Sequence, residues 1–159
     1  MRVTNVFPAS GTYSLRIGAG DFNGINPIFG FVEQTLTTVP GQIYNLTFSY
    51  GEYLCCTEDP TNQFDAFKVL VDGNQVYSDS NFFAVQHGLN LSQGFYQPVN
   101  LSFTAASIST TLEFDGFNVL NDVALDNIDV EALPEPGTLS LLGGALLAVS
   151  LLARRRTAN

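Results

Sequence analysis

In several segments of the first 131 residues, apolar side chains recur at every second position, which is the pattern of strands that bury one face. The clearest run is 42–50, in which one face carries Tyr44, Leu46, Phe48 and Tyr50. Eight such strands are predicted, over 12–19, 29–39, 42–50, 64–71, 74–77, 99–105, 108–114 and 123–131. Two packed antiparallel sheets would bury one face of each strand, so we expect an all-β fold, an antiparallel β-sandwich of jelly-roll type.

Turn signals separate these strands. Val39-Pro40-Gly41-Gln42 predicts a tight turn with Pro and Gly at its centre, and Asp72-Gly73 is the strongest hairpin signal in the chain. In the closing strand, Val123 and Leu125 share one phase whereas Ile128 and Val130 share the other. A change of phase within one strand predicts a β-bulge, here near Asp126-Asn127.

Composition and charge narrow the classes of function. Residues 1–133 hold fourteen acidic residues and three basic ones, a formal net charge of −11. No row of Lys and Arg residues can form there to neutralise phosphates, so we do not expect this part of the chain to bind nucleic acid. Thirteen Phe, six Tyr and no Trp, with abundant Thr, Ser, Asn and Gly, also favour an all-β domain.

Two aspartates are candidate calcium ligands. Asp126, at the predicted bulge, either donates its oxygens to a structural Ca²⁺ or bonds nearby backbone amides. Asp21, in the loop Gly20-Asp21-Phe22-Asn23-Gly24, is a second candidate, although no glutamate follows at the distance that an EF-hand requires. No other cofactor is expected.

Catalytic chemistry has little support. His87 is the only histidine, and no serine lies in a Gly-x-Ser-x-Gly motif. Fourteen acidic residues make chance carboxylate pairs inevitable, so their presence does not indicate a glycosidase. We therefore expect a non-enzymatic protein. Cys55 and Cys56 are adjacent, and a strained vicinal bridge, pairing with another chain, pairing with an upstream residue and free thiols all remain open.

Aromatic side chains in or beside predicted loops are candidates for stacking on sugar rings. The candidate sugar contacts are Tyr53, Phe95 and Tyr96, with Phe82 and Phe83 nearby. The alternative is that these rings fill the core or cap its open ends. A carbohydrate-binding module that recognises an extracellular polysaccharide is therefore the second functional hypothesis.

The last 26 residues, 134–159, have a different character. Pro134-Glu135-Pro136-Gly137 precedes sixteen uncharged residues, 138–153, of which seven are Leu, and Arg154-Arg155-Arg156 follows. This tail resembles the PEP-CTERM sorting signal of bacterial surface proteins. The resemblance implies that an exosortase-type membrane enzyme recognises and processes residues 134–137, that 138–153 form a transmembrane helix, and that the arginines remain cytoplasmic. The alternative is a buried C-terminal helix of a soluble domain, which should have a clearer polar face.

Within the preceding part of the chain, roughly residues 10–131 also resemble a known family. The segments Glu33–Tyr44, Val71-Asp72-Gly73, Leu101–Ala105 and Ala124–Val130 occur in the order found in galactose-binding-like β-sandwiches that precede PEP-CTERM tails. Such domains usually begin with one or two strands before the position of Tyr13. Residues 1–7 hold no apolar run suited to a signal peptide, so we expect that the chain lacks its signal peptide and N-terminal strand or strands.

Together these patterns predict an exported, non-enzymatic surface protein that is sorted through its tail. It would be anchored in the membrane before processing, and then lie at the cell surface or in the extracellular polysaccharide matrix.

Overall fold

The computed structural model describes residues 2–5, 8–18, 29–53, 65–80, 96–118 and 122–134, together with Gly137. These residues form nine strands. They are β1 (Arg2–Thr4), β2 (Ser14–Ile17), β3 (Gly30–Thr37), β4 (Ile43–Tyr53), β5 (Asp65–Val71), β6 (Asn74–Ser80), β7 (Gln97–Thr104), β8 (Ser109–Asn118) and β9 (Asp122–Ala132).

The strands form two sheets in which every pairing is antiparallel. The first sheet has the order β1-β2-β9-β4-β7 and the second β3-β8-β5-β6. The prediction of an all-β fold with two antiparallel sheets is confirmed.

The core lies between the two sheets and follows the period-two pattern of the sequence. On β4, Leu46, Phe48 and Tyr50 are all at most 1% exposed. The inward positions of β5 and β8 meet them, and the buried apolar residues include Phe67, Val69, Leu112, Phe114, Val123 and Leu125. Five aromatic rings meet at the centre, where Tyr50 stacks on Phe67 with 4.6 Å between the ring centroids.

Several strands extend beyond their predicted limits. The strands predicted to end at residues 50 and 77 are longer than expected: β4 continues to Tyr53 and β6 to Ser80. The prediction that loops begin at 51 and 78 was therefore wrong for these residues. Strand β8 continues to Asn118, beyond its predicted end at 114. Its last residues are buried on both faces, so the sequence shows no alternation there that would predict a strand. Strand β1 was not predicted, since three residues are too short to show a period; it pairs with β2 through Val3 opposite Leu15.

The predicted bulge in the closing strand is confirmed. Thr47 lies opposite Asp129 and Ser49 opposite Asp126, so two residues of β9 face the single residue Phe48. Asn127, one of those two, has a φ of 53°. Asparagine tolerates this left-handed conformation better than most residues, because its short polar side chain bonds locally.

The hairpin prediction at Asp72-Gly73 is also confirmed. Both residues have positive φ, 49° and 76°, as a type I′ turn requires. Gly41 has a φ of 83° in the predicted 39–42 turn, which closes with a hydrogen bond of 3.0 Å from the Gln42 amide to the Val39 carbonyl. Glycine adopts such angles without steric cost.

Gly116 on β8 lies close against β2 and β9 of the first sheet. A Cβ atom at this position would be 3.0 Å from the carbonyl oxygen of Ile17 and 3.1 Å from the Cβ atoms of Ile17 and Val123. The site therefore has room for hydrogen only, and the sheets can close over β8 because residue 116 is glycine.

One end of the sandwich, which we call the base, consists of the turns 37–43, 71–74 and 104–109 and the end of β9. Backbone hydrogen bonds join its parts. The Thr38 amide donates to the Ile108 carbonyl (2.9 Å), and the Leu133 amide donates to the Ile43 carbonyl (2.8 Å). The base is thus one connected structure, and the chain leaves it at Leu133.

Candidate functional site

The outer face of the second sheet carries a group of charged residues beside an exposed aromatic ring. We call it the acidic face and define it by Phe31, Glu33, Lys68, Glu113 and Asp115. Phe31 on β3 lies directly opposite Asp115 on β8, which in turn lies opposite Lys68 on β5. Directly opposed residues of antiparallel strands point to the same side with Cβ atoms ~5 Å apart, so these side chains form one row.

Phe31 is the exposed aromatic member of this face. Its side chain is 57% exposed, although it belongs to a strand whose inward neighbours Val32 and Leu36 pack against the core. The ring points outward because it is out of phase with those residues. Leaving a large apolar ring in water on a flat sheet surface makes it available for stacking on an apolar partner.

Lys68 and Asp115 form a fixed pair next to Phe31. The Lys68 Nζ atom is 3.2 Å from the Asp115 Oδ2 atom and 3.9 Å from the centroid of the Phe29 ring. The ammonium group therefore has a carboxylate on one side and an aromatic face on the other, an arrangement that restricts its rotamers. Asp115 is only 7% exposed, and among the described residues its Oδ1 atom has no hydrogen-bond partner.

Glu113 and Glu33 lie opposite each other in the next row of the face. A hydrogen bond from the protonated Glu113 carboxyl to Asp115 raises the pKa of Glu113. Partial burial and the negative charges of Asp115 and Glu33 raise it further, whereas Lys68 lowers it. The acidic face thus binds a proton more readily than separate carboxylates would.

Asp126 lies on the first sheet, next to the bulge. Its Oδ2 atom accepts hydrogen bonds from the amides of Ala9 (2.7 Å) and Ser10 (3.2 Å), and its Oδ1 atom accepts one from the amide of Asn127 (2.7 Å). Of the two interpretations that the sequence left open for Asp126, these hydrogen bonds agree with the one in which its carboxylate bonds nearby backbone amides. Within the described ranges, no three His, Cys, Asp or Glu side chains are arranged to hold a metal ion.

A small cavity of about 170 Å³ lies beside Asp126. It is lined by Val3, Tyr13, Ser14, Leu15, Leu125, Asp126, Asn127 and Ile128. Because the carboxylate oxygens of Asp126 already accept three amide hydrogen bonds, the cavity offers mainly apolar contacts.

Tyr96 is the one predicted sugar contact whose side chain the structure describes. It is half-buried, near Ser14, Arg16 and Asp126, and burial raises the pKa of its hydroxyl, with the charge of Asp126 adding to the effect. Its ring therefore lies against the first sheet, whereas Phe31 belongs to the second. Arg16 and Ser14, which alternate with the apolar residues Leu15 and Ile17 on β2, are 6% and 4% exposed.

A group of hydroxyls and a carboxylate was missed by the sequence analysis. The Tyr50 hydroxyl on β4 donates to Asp79 on β6 and lies 2.9 Å from the Tyr77 hydroxyl. Burial, followed by these hydrogen bonds, raises the pKa of Tyr50 well above its usual range. Alternation identified Tyr50 as an inward residue, but no sequence signal indicated its partners on another sheet.

The remaining predicted site residues lie mostly outside the described residues. These are Asp21, Cys55, Cys56, His87, Phe95, Glu135, Pro136, the segment 138–153 and Arg154–Arg156, as well as the side chain of Tyr53. Pro134 and Gly137 are described and are exposed. In the part of the chain that is described, no helix is long and apolar enough to cross a membrane.

Comparison with known proteins gives a likeness in fold only. No protein-family model and no curated protein sequence matches the chain. Among solved structures, the chain is similar to a family 16 carbohydrate-binding module (15% identity, 81% of this chain and 83% of that one, TM-score 0.47). It is also similar to the sugar-binding C-terminal domain of EclA (13% identity, 70% and 84%, TM-score 0.46) and to the enzymatically active domain of tailspike protein 4 of bacteriophage CBA120 (14% identity, 82% and 17%, TM-score 0.46). At these identities and TM-scores, the likenesses assign no function to this chain.

Proposed function

We propose that this chain is a non-enzymatic bacterial surface protein whose β-sandwich, of the jelly-roll, galactose-binding-like type, binds an extracellular polysaccharide on the acidic face. The observation that carries the proposal is the exposed ring of Phe31 directly opposite the buried carboxylate of Asp115. An aromatic ring offers a stacking surface to the apolar face of a pyranose. The exposed carboxylate of Glu33, two positions further along β3 on the same face, can accept hydrogen bonds from sugar hydroxyls, and such charge-assisted bonds are stronger than neutral ones.

The charges of the face indicate which polysaccharides fit. The face holds three carboxyl groups, those of Glu33, Glu113 and Asp115, and one ammonium group, that of Lys68, which is paired with Asp115. A uronate or sulfate group brought to this face would be repelled by the excess negative charge. A neutral glycan, or one that carries amino groups, is therefore the proposed class of ligand.

The same geometry argues against hydrolysis of that glycan. A glycosidase places two carboxyl groups about 5–10 Å apart, on opposite sides of the scissile bond. The carboxyl groups of Glu113 and Asp115 instead interact with each other, and Asp115 is also paired with Lys68. No space for a glycosidic bond remains between them, so binding is the proposed function of the face.

A pair of substitutions tests the proposal. Phe31→Ala removes the exposed ring, and we expect it to weaken binding to neutral polysaccharides in affinity electrophoresis at least tenfold. Tyr13→Ala is the matched control, because Tyr13 is similarly exposed (62%) but lies just before β2, a strand of the first sheet. Unchanged binding by Phe31→Ala, or an equal loss in both variants, would overturn the assignment of the acidic face.

The tail supports the second part of the proposal, which is export and sorting through a PEP-CTERM signal. Its support is the order of Pro134–Gly137, the uncharged stretch 138–153 and Arg154–Arg156. An exosortase-type enzyme would process the chain near residues 134–136, and the membrane would hold it until then. Intact-mass measurement in hosts with and without the exosortase tests this: loss of the tail only when the enzyme is present is expected, and an uncut chain in both hosts would contradict it.

A further inference from the structure

We propose that the base of the sandwich rests on the lipid surface while the tail holds the chain in the membrane. This inference rests on the proposed membrane anchoring of residues 138–153, and it adds a second contact between the folded domain and the bilayer.

The first argument is the exposure of apolar side chains at the base. Ile108 is 73% exposed, Val39 58%, Ile43 41% and Leu133 40%. Ile108 and Val39 belong to adjoining turns, since Thr38 is hydrogen-bonded to the Ile108 carbonyl, and Leu133 is bonded to Ile43. Single exposed apolar residues are ordinary, but four aliphatic side chains at one end of a domain form a surface that fits an apolar partner.

The second argument is charge. Residues 1–133 are strongly acidic as a whole, yet neither the turn 37–43 nor the turn 104–109 contains a charged residue. The remaining turn of the base, 71–74, contains one acidic residue, Asp72. Glu131 lies near the end of β9. Bacterial membrane surfaces carry anionic lipids, which repel acidic protein surfaces. Turns without carboxylates can approach such a surface at lower electrostatic cost than the rest of the domain.

The third argument is the length of the connection. Leu133 is fixed to the base because its amide donates a hydrogen bond to the Ile43 carbonyl and its carbonyl accepts one from the Gln42 side chain. The uncharged segment begins at Thr138, five residues later. Five extended residues span at most ~17 Å. If residues 138–153 lie in the membrane, the base is therefore held within a short distance of the headgroups and faces them.

The consequence is a defined orientation. Aliphatic side chains at the base would enter the interfacial region, as the apolar residues of interfacial proteins do. The acidic face stands along the side of the sandwich, with Phe31 at the far end of β3 from the base. The glycan-binding face would thus be directed away from the lipid before processing releases the domain.

The experiment uses the absence of tryptophan from the chain. In the full chain, Ile108→Trp introduces a single fluorophore at the base, and Phe31→Trp introduces one at a similarly solvent-exposed position at the opposite end of β3. Each variant is reconstituted in vesicles of phosphatidylethanolamine and phosphatidylglycerol whose acyl chains are brominated. We expect quenching of at least half of the Ile108→Trp emission, with a blue shift, and no quenching of Phe31→Trp.

The possible outcomes separate the two proposals. If the chain floats with the vesicles but both tryptophans escape quenching, the membrane anchor stands and contact by the base is overturned. Equal quenching of both variants would overturn the orientation. If the chain does not float with vesicles at all, the proposed anchoring fails, and the inference fails with it.

Discussion

Tyr50 and Asp79 join the two sheets, since the Tyr50 hydroxyl on β4 donates a hydrogen bond to the Asp79 carboxylate on β6. Tyr50 is fully buried, and Tyr77 lies 2.9 Å from the same hydroxyl. A polar connection of this kind inside an aromatic core fixes the position of β6, the edge strand of the second sheet, relative to β4.

Tyr50→Phe should therefore lower the free energy of unfolding by about 1–3 kcal/mol, because Asp79 then loses its buried donor while the ring packing is kept. Thermal or urea unfolding measures the loss. Tyr13→Phe is the control, since Tyr13 is 62% exposed and its variant should differ from the wild type by less than about 0.5 kcal/mol. Equal stability of the wild type and Tyr50→Phe would show that the buried hydrogen bonds contribute nothing net.

Gly116→Ala should destabilise the fold by about 1–3 kcal/mol, because the added methyl group meets the Ile17 carbonyl and two Cβ atoms at 3.0–3.1 Å. Gly73→Ala offers a contrast, since nothing lies within 4 Å of its Cβ position and only its positive φ is strained. Chemical denaturation of both variants measures the two costs. A Gly116→Ala protein as stable as the wild type would mean that the sheets are packed less closely over β8 than described.

Asp126→Ala should release the segment 9–10, because the amides of Ala9 and Ser10 lose their shared acceptor. Hydrogen exchange at these two amides is expected to accelerate at least tenfold. If the carboxylate serves these amides alone, calcium and a chelator should give the same melting temperature. A calcium-dependent rise that disappears in Asp126→Asn would instead establish the calcium site predicted at this residue.

The acidic face should make stability depend on pH through Glu113. Its pKa is raised in the folded state, chiefly by the hydrogen bond to Asp115, so the folded chain binds this proton more tightly than the unfolded chain. The resulting stabilisation is complete below the unfolded pKa of ~4.3 and is lost as pH rises through the folded pKa.

Glu113→Gln removes that titration. The melting temperature of the variant minus that of the wild type should therefore increase between pH 4 and pH 7. In an Asp115→Asn background, where the chief cause of the raised pKa is absent, the increase should be much smaller. A difference that stays constant over this range in the wild-type background would contradict the proton sharing.

Much of the fold follows from local pattern, as the strand β4 illustrates. Its inward residues were identified by alternation alone, and the bulge at Asp126-Asn127 was predicted from a change of phase. The C-terminal end of β8 could not be predicted, because Asp115 and Phe117 are buried on the outer face and break the alternation of apolar and polar residues.

The candidate site was less accessible from sequence. Phe31 lies in the strand predicted over 29–39, but its neighbour Asp115 is 84 positions away and only the register of β3 against β8 brings them together. Periodicity identifies which residues share a face, not which strands are adjacent. Tyr96 stays a predicted sugar contact, and periodicity did not indicate that it lies beside Ser14 and Asp126.

The most direct test of the central claim is an NMR titration of the ¹⁵N-labelled domain with neutral oligosaccharides. The account predicts that the amide shifts which change on binding cluster at Phe31, Lys68 and Asp115 on the outer face of the second sheet. Changes confined to the first sheet around Tyr96, or no changes with any neutral glycan, would contradict it.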